Sequence, residues 1–261
     1  MTDTKPLILV VNDDGYEAKG LAAMVAIAKE FGEVVVVVPD KAQSAMGHAI
    51  TMNLPLRVNF YKTIDGIPYW RTNGTPADCT KLGTKVVLKN RKVDLVLSGI
   101  NHGSNSSVSI IYSGTMAAAI EASFDNIPAI GLSLQDYSDE ADFTASVHYG
   151  KIIVKRVLEH GLPPYISLNI NVPKMPLEEI KGIKVTRQTK GYWHEDLEEH
   201  IDALGRRYFW LSGYLVDTDH QEDSCEWALH HGYISVQPVQ VDMTAYHAMN
   251  NIKYLEYELE R

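Results

Sequence analysis

Two cysteines in 261 residues leave little room for thiol or zinc chemistry. Cys79 and Cys225 lie far apart and fit no disulfide or zinc spacing, so a reducing compartment is expected. Positive charge is also scarce: 24 Lys and Arg stand against 33 Asp and Glu, a formal net charge of −9. Broad, non-specific nucleic-acid binding needs a basic surface, so no DNA partner is expected. A small anion held by a metal remains compatible with that charge. No apolar run approaches membrane-spanning length, and residues 1–6 (MTDTKP) show no charged and then apolar leader. A cytoplasmic protein without membrane contact is the expectation. Several enzyme signatures are missing as well. The ten His form no H-x-x-x-H or H-E-x-x-H pair, and no Ser sits in a G-x-S-x-G elbow. Neither a P-loop nor a G-x-G-x-x-G follows the first strand, which counts against a dinucleotide-binding domain.

What remains is an ordinary globular composition, 45% hydrophobic and 22% charged. "LILVV" (7–11), "EVVVVVP" (33–39), "VDLVLSG" (93–99), "PAIGLSL" (128–134) and "YISLNINVP" (165–173) are short apolar runs of the kind buried in a parallel sheet. Helix-period segments alternate with them at 18–31, 75–89, 113–126 and 140–160. Thr75 and Pro76 stand as N-cap and first helical residue of the second. This alternation predicts an α/β fold: a Rossmann-like, doubly wound, mostly parallel sheet. After Pro176 the texture changes. Residues 180–217 read as aromatic and charged strands joined by loops, followed by a helix at 219–231, a strand at 232–239 and a helical tail. The expected organisation is a core, 1–176, and a C-terminal appendage, 177–261, that completes the fold and supplies an oligomer interface.

In such folds ligands gather at the carboxyl ends of the strands. The first strand ends in "NDDG", placing Asp13 and Asp14 side by side with Gly15 allowing a sharp turn. A divalent cation resolves the repulsion between two carboxylates, and oxygen donors suit hard ions such as Mg²⁺ or Mn²⁺. An Asp cap beside a solvated Asp fits the pair equally well. Two further strand-end loops, "PDKAQSAMGHAIT" (39–51) and "SGINHGSNSS" (98–107), supply Ser44 and Asn101 as neutral oxygen ligands, although turn chemistry alone also favours such residues. "YSGTMAAA" opens a helix at Ser113, Gly114 and Thr115, where free N–H groups and hydroxyls suit a phosphate or an ordinary N-cap. His48 and His102 sit in the same loops, as pocket lining or as proton donors. Tyr192, Trp193 and His194 suit either a nucleobase or a subunit interface.

Taken in order, "NDDG", "VPDKAQS", "GTPADC", "SGINHGSN", "YSGT", "IPAI", "LNINVP" and "GYISVQP" span nearly the whole chain and resemble the SurE family of survival proteins, which are metal-dependent nucleotidases. The resemblance implies one divalent cation per subunit on Asp13, Asp14, Ser44 and Asn101, with Mg²⁺ or Mn²⁺ bound and Ca²⁺ able to occupy the site. It implies catalysis by Asp13, Asp14 and Asn101, and phosphate contacts from Ser44, Ser113, Gly114 and Thr115. A nucleoside 5′- or 3′-monophosphate is the implied substrate, and a homodimer or dimer of dimers the implied assembly. The alternatives are hydrolysis of short polyphosphate or other small phosphate esters, and a nucleotide-binding regulator without turnover.

Overall fold

The structure, a computed structural model, describes residues 5–257. In chain order the elements are β1 (Leu7–Val11), α1 (Lys19–Ala28), β2 (Glu33–Pro39), β3 (Val58–Ile64), β4 (Ile67–Thr72), α2 (Pro76–Leu82), β5 (Leu95–His102), α3 (Gly114–Phe124), β6 (Ala129–Leu134), α4 (Thr144–His160), β7 (Ser167–Val172), β8 (Gly182–Val185), β9 (Gly191–Ile201), β10 (Arg207–Asp217), α5 (Cys225–His230) and β11 (Tyr233–Val239). Nine strands form one sheet in the order β3-β4-β2-β1-β5-β6-β7-β11-β8. Neighbours from β4 through β7 run parallel, while β3 and β11 run antiparallel to β4 and β7.

Strand periodicity explains the two cores. Successive side chains leave opposite faces, so Ile8 and Val10 join α1 and α4 on one face while Leu7, Leu9 and Val11 join α2 and α3 on the other. Both faces are therefore buried, which is why these strands read as continuous apolar runs. Thr75 caps α2 in a full capping box with Asp78, and Pro76 takes the first turn. Gly20 lets α1 sit directly on β5, since a Cβ there would lie 2.0 Å from the carbonyl oxygen of Ile100.

The β3–β4 hairpin escapes the sequence reading. β3 is a mostly exposed edge strand with no apolar alternation, although Asp65 and Gly66 at its tip, both at positive φ, mark a two-residue turn. The chain from 177 onward divides. β8 and β11 join the main sheet, whereas β9 and β10 pair only with each other as an antiparallel ribbon. The expected tail helix is a run of 3₁₀ turns over Tyr246–Leu255 with no buried residue, and residues 258–261 lie outside the described ones.

Candidate active site

Strand order reverses around β1, whose neighbours are β2 and β5. A doubly wound sheet opens a crevice at such a switch point, above the carboxyl ends of the strands. A cleft of about 540 Å³ lies there, lined by Asp13, Asp14, Ser44, Asn101, His102 and Ser113 among others.

The end of β1 turns through Asn12, whose side chain donates to the Gly15 carbonyl (2.8 Å) and accepts from the Gly15 amide (3.2 Å). Gly15 takes φ +90°, so the two aspartates leave the pleat together. Asp13 is 4% exposed and accepts a 2.8 Å hydrogen bond from the Thr115 hydroxyl. Burial, then the neighbouring Asp14 charge, push its carboxyl up to about 6 despite that bond. Asp14 is raised mainly by burial, an effect opposed by His102. Its Oδ2 is buried and, among the described residues, accepts no hydrogen bond.

The loop bearing Ser44 is pinned on both sides. The Gln43 amide donates to the Asp13 carbonyl (2.7 Å) and the Gly47 amide to the Tyr112 carbonyl (3.0 Å). Asn101 donates its amide to the carbonyls of His102 (3.1 Å) and Gly103 (2.9 Å). An amide committed as donor on its nitrogen leaves Oδ1 as its free acceptor. Loop 104–106 rests on a buried polar network from β7: Asn171 Oδ1 accepts from the Asn105 amide (2.8 Å) and the Ser104 hydroxyl (3.1 Å), and Asn169 donates to the Asn105 carbonyl (2.9 Å).

The helix opening divides between two tasks. The Ser113 hydroxyl accepts from the Met116 amide (3.0 Å) as the N-cap of α3, and Ser113 lines the cleft. Gly114 and Thr115, expected as phosphate donors, do not line it. A Cβ on Gly114 would stand 3.0 Å from Asp13 Oδ2, and the Thr115 hydroxyl is spent on Asp13. Both lie behind the carboxylate because α3, packed on β5 and β6, starts directly against it. His102 lines the cleft, edge-on to Phe143. His48 does not; its Nε2 lies 3.0 Å from Glu121, which also pairs with Lys81.

Trp193 lines the cleft, while Tyr192 and His194 do not. Sequence reasoning missed Tyr137, Glu195 and Leu211, which are also at the cleft. They arrive from distant segments, and only the alternation of Trp193 and Glu195 along one strand hinted at a shared face. Among the described residues no lysine or arginine lines the cleft, and no three His, Cys, Asp or Glu side chains converge on one point. A cation here would therefore take two carboxylates with the neutral oxygens of Ser44 and Asn101, a donor set for a hard divalent ion. The unpartnered Asp14 Oδ2 fits that role.

The family model for the survival protein SurE matches residues 8–195. The protein named 5′-nucleotidase SurE from Flavobacterium psychrophilum is 51% identical over 247 residues, covering 94% of this chain and 96% of that one. Its counterpart from Bacteroides thetaiotaomicron is 41% identical across the full length of both chains. The crystal structure of the SurE protein from Aquifex aeolicus superposes with a TM-score of 0.82 at 41% identity, covering 97% of this chain and 100% of that chain. With its switch-point cleft and near-complete match to these proteins, the chain belongs to the SurE family.

Proposed function

We propose that this protein is a metal-dependent phosphomonoesterase that removes phosphate from nucleoside 5′- or 3′-monophosphates. The observation that carries this reading is the buried Asp14 Oδ2 beside Asp13, unpartnered among the described residues, in a cleft that none of the described lysines or arginines lines to neutralise a phosphate. The names of its relatives, 5′-nucleotidases, support the same substrate class. A divalent cation, Mg²⁺ or Mn²⁺ with Ca²⁺ able to take its place, would offset phosphate charge and acidify a water.

This chain's own residues do the rest. Asp13 and Asp14 hold the cation with Ser44 and Asn101, and Thr115 orients Asp13 through its hydrogen bond. The Ser113 hydroxyl, used as an acceptor by its own helix, keeps its proton for a phosphate oxygen at the positive end of α3. Asp14, the more open carboxylate, orients the attacking water. Two buried free thiols support a cytoplasmic, reducing setting, and no described helix is long and apolar enough to cross a membrane. The ribbon exposes Leu197, Ile201, Phe209, Trp210 and Leu211, which supports burial against a second copy in a homodimer or dimer of dimers.

The test is phosphate release from AMP and 3′-AMP with Mg²⁺ or Mn²⁺ and with EDTA. Metal-dependent release is expected. Release that EDTA leaves untouched would overturn the metal reading, and nucleotide binding without any release would make the protein a regulator.

A further inference from the structure

The lining of the cleft divides into two chemically different sets of residues. The aspartates, Ser44, Asn101 and Ser113 make one. The other is built by Tyr137 from the loop after β6 and by the β9–β10 ribbon through Trp193, Glu195, Leu211 and Gly213. Residues two apart on a strand share a face, and directly paired residues share it across the ladder. The register pairs Trp193 with Leu215, Glu195 with Gly213 and Leu197 with Leu211. The cleft-facing side of the ribbon therefore carries an indole opposite Leu215 and, two residues along, a carboxylate opposite a glycine with no side chain.

The indole, the glycine and Tyr137 each have fixed neighbours. The Trp193 indole N–H donates to the Ser109 hydroxyl (3.2 Å), and the ring is half-buried. The ribbon's root is seated at Gly191, where a Cβ would lie 2.7 Å from the Val216 carbonyl oxygen and 3.0 Å from the Ser107 hydroxyl. Gly213 has φ +150°, and a Cβ there would lie 2.1 Å from the His194 carbonyl oxygen, so that position stays bare. Tyr137 lies flat against Gly103, whose Cβ would come within 2.2 Å of its ring.

We propose that Trp193 is the nucleobase platform and the specificity-determining residue of this cleft, stacking its indole on the base. Aromatic faces bind any base through its π surface, which suits a substrate class defined by its nucleoside and tolerant of base identity. Glu195 sets the direction of binding. A carboxylate near the indole, with none of the described lysines or arginines lining the cleft, repels a phosphate and accepts from sugar hydroxyls or base amino groups. Phosphate therefore lies at the aspartates and the base at the ribbon. This inference rests on the nucleotidase reading of the site.

The experiment compares wild type with Trp193→Ala and Trp193→Phe on AMP and on glycerol 3-phosphate, a phosphate monoester without a base. In Trp193→Ala the kcat/KM ratio of AMP to glycerol 3-phosphate should fall roughly ten-fold, mostly through the KM for AMP, and Trp193→Phe should restore most of it. AMP should also quench the tryptophan fluorescence of wild type, and that response should vanish in Trp193→Phe. Should Trp193→Ala fail to fold, Trp193→Leu keeps apolar bulk without a π face and must show the same fall in ratio. An unchanged ratio, or equal losses on both esters, overturns the platform while leaving the nucleotidase reading intact. A wild type that releases phosphate from glycerol 3-phosphate but not from AMP overturns both.

Discussion

Replacing Asp13 by Asn should make the metal-free protein more stable while nearly abolishing its activity. The magnitude follows from the environment of the carboxyl. A group whose pKa stands at about 6 in the fold against 3.8 in the open chain has its charged form disfavoured by about 3 kcal/mol. Asn keeps the shape, still accepts from the Thr115 hydroxyl at its Oδ1, and carries no charge beside Asp14. In EDTA at pH 8 the variant should therefore melt several degrees above wild type. The sign reverses with metal. A ligand at about 1,000 times its Kd stabilises the native state by roughly 4.1 kcal/mol, more than the charge relief gained by Asn, and wild type receives that gain while the variant largely loses it.

The pH dependence is equally specific. Because the folded pKa is raised, protonation favours the folded state, so Asp13 contributes stability that is present below about 4 and lost as pH rises through about 6. The advantage of Asp13→Asn in EDTA should accordingly be full at pH 8 and shrink as pH falls through 6 toward 4. Thermal unfolding across that range, paired with phosphate release from AMP with Mn²⁺, gives both readouts. A variant that melts below wild type in EDTA at pH 8, or that keeps full metal-dependent turnover, refutes the reasoning.

Three further outcomes follow from the same geometry. Thr115→Val removes the hydroxyl on Asp13 without changing shape, so stability should move by about 1–2 kcal/mol in denaturant titrations while metal affinity falls by a larger factor in calorimetry. Gly114→Ala places a methyl 3.0 Å from both the Cβ and Oδ2 of Asp13 and should cost activity well beyond its modest effect on melting temperature, since the crowding acts on the carboxylate itself. Deleting residues 244–261, whose described part buries no side chain of its 3₁₀ run, should shift the species seen by light scattering toward smaller ones while the cooperative unfolding of the core persists; a wild type that is a clean monomer at micromolar concentration refutes the oligomer proposal.

Much of this protein was written locally. Parallel strands buried on both faces must be continuously apolar, so β1, β2, β5, β6 and β7 were legible as runs, and Thr75, Pro76 and Ser113 marked helix starts through capping chemistry that acts over a few residues. "NDDG" was legible for a similar reason, because two adjacent carboxylates at a strand end are a local electrostatic fact. Edge and surface elements carry no such signature: β3 has its side chains in water, and nothing in its pattern demands a strand. The destination of side chains depends on packing across the whole chain. Thr115 serves Asp13, rather than a ligand, because the start of α3, a helix packed on β5 and β6, brings Gly114 up against that carboxylate. His48 goes to Glu121 because its loop is tied down on the far side of Tyr112. The ribbon side of the cleft was assembled from Tyr137 and the ribbon at 191–217, segments separated by some fifty residues or more from each other and by over a hundred from the aspartates. No periodicity connects such segments, since only the folded sheet order and the anchoring of the ribbon at Gly191 bring an indole into the same cleft as the carboxylates.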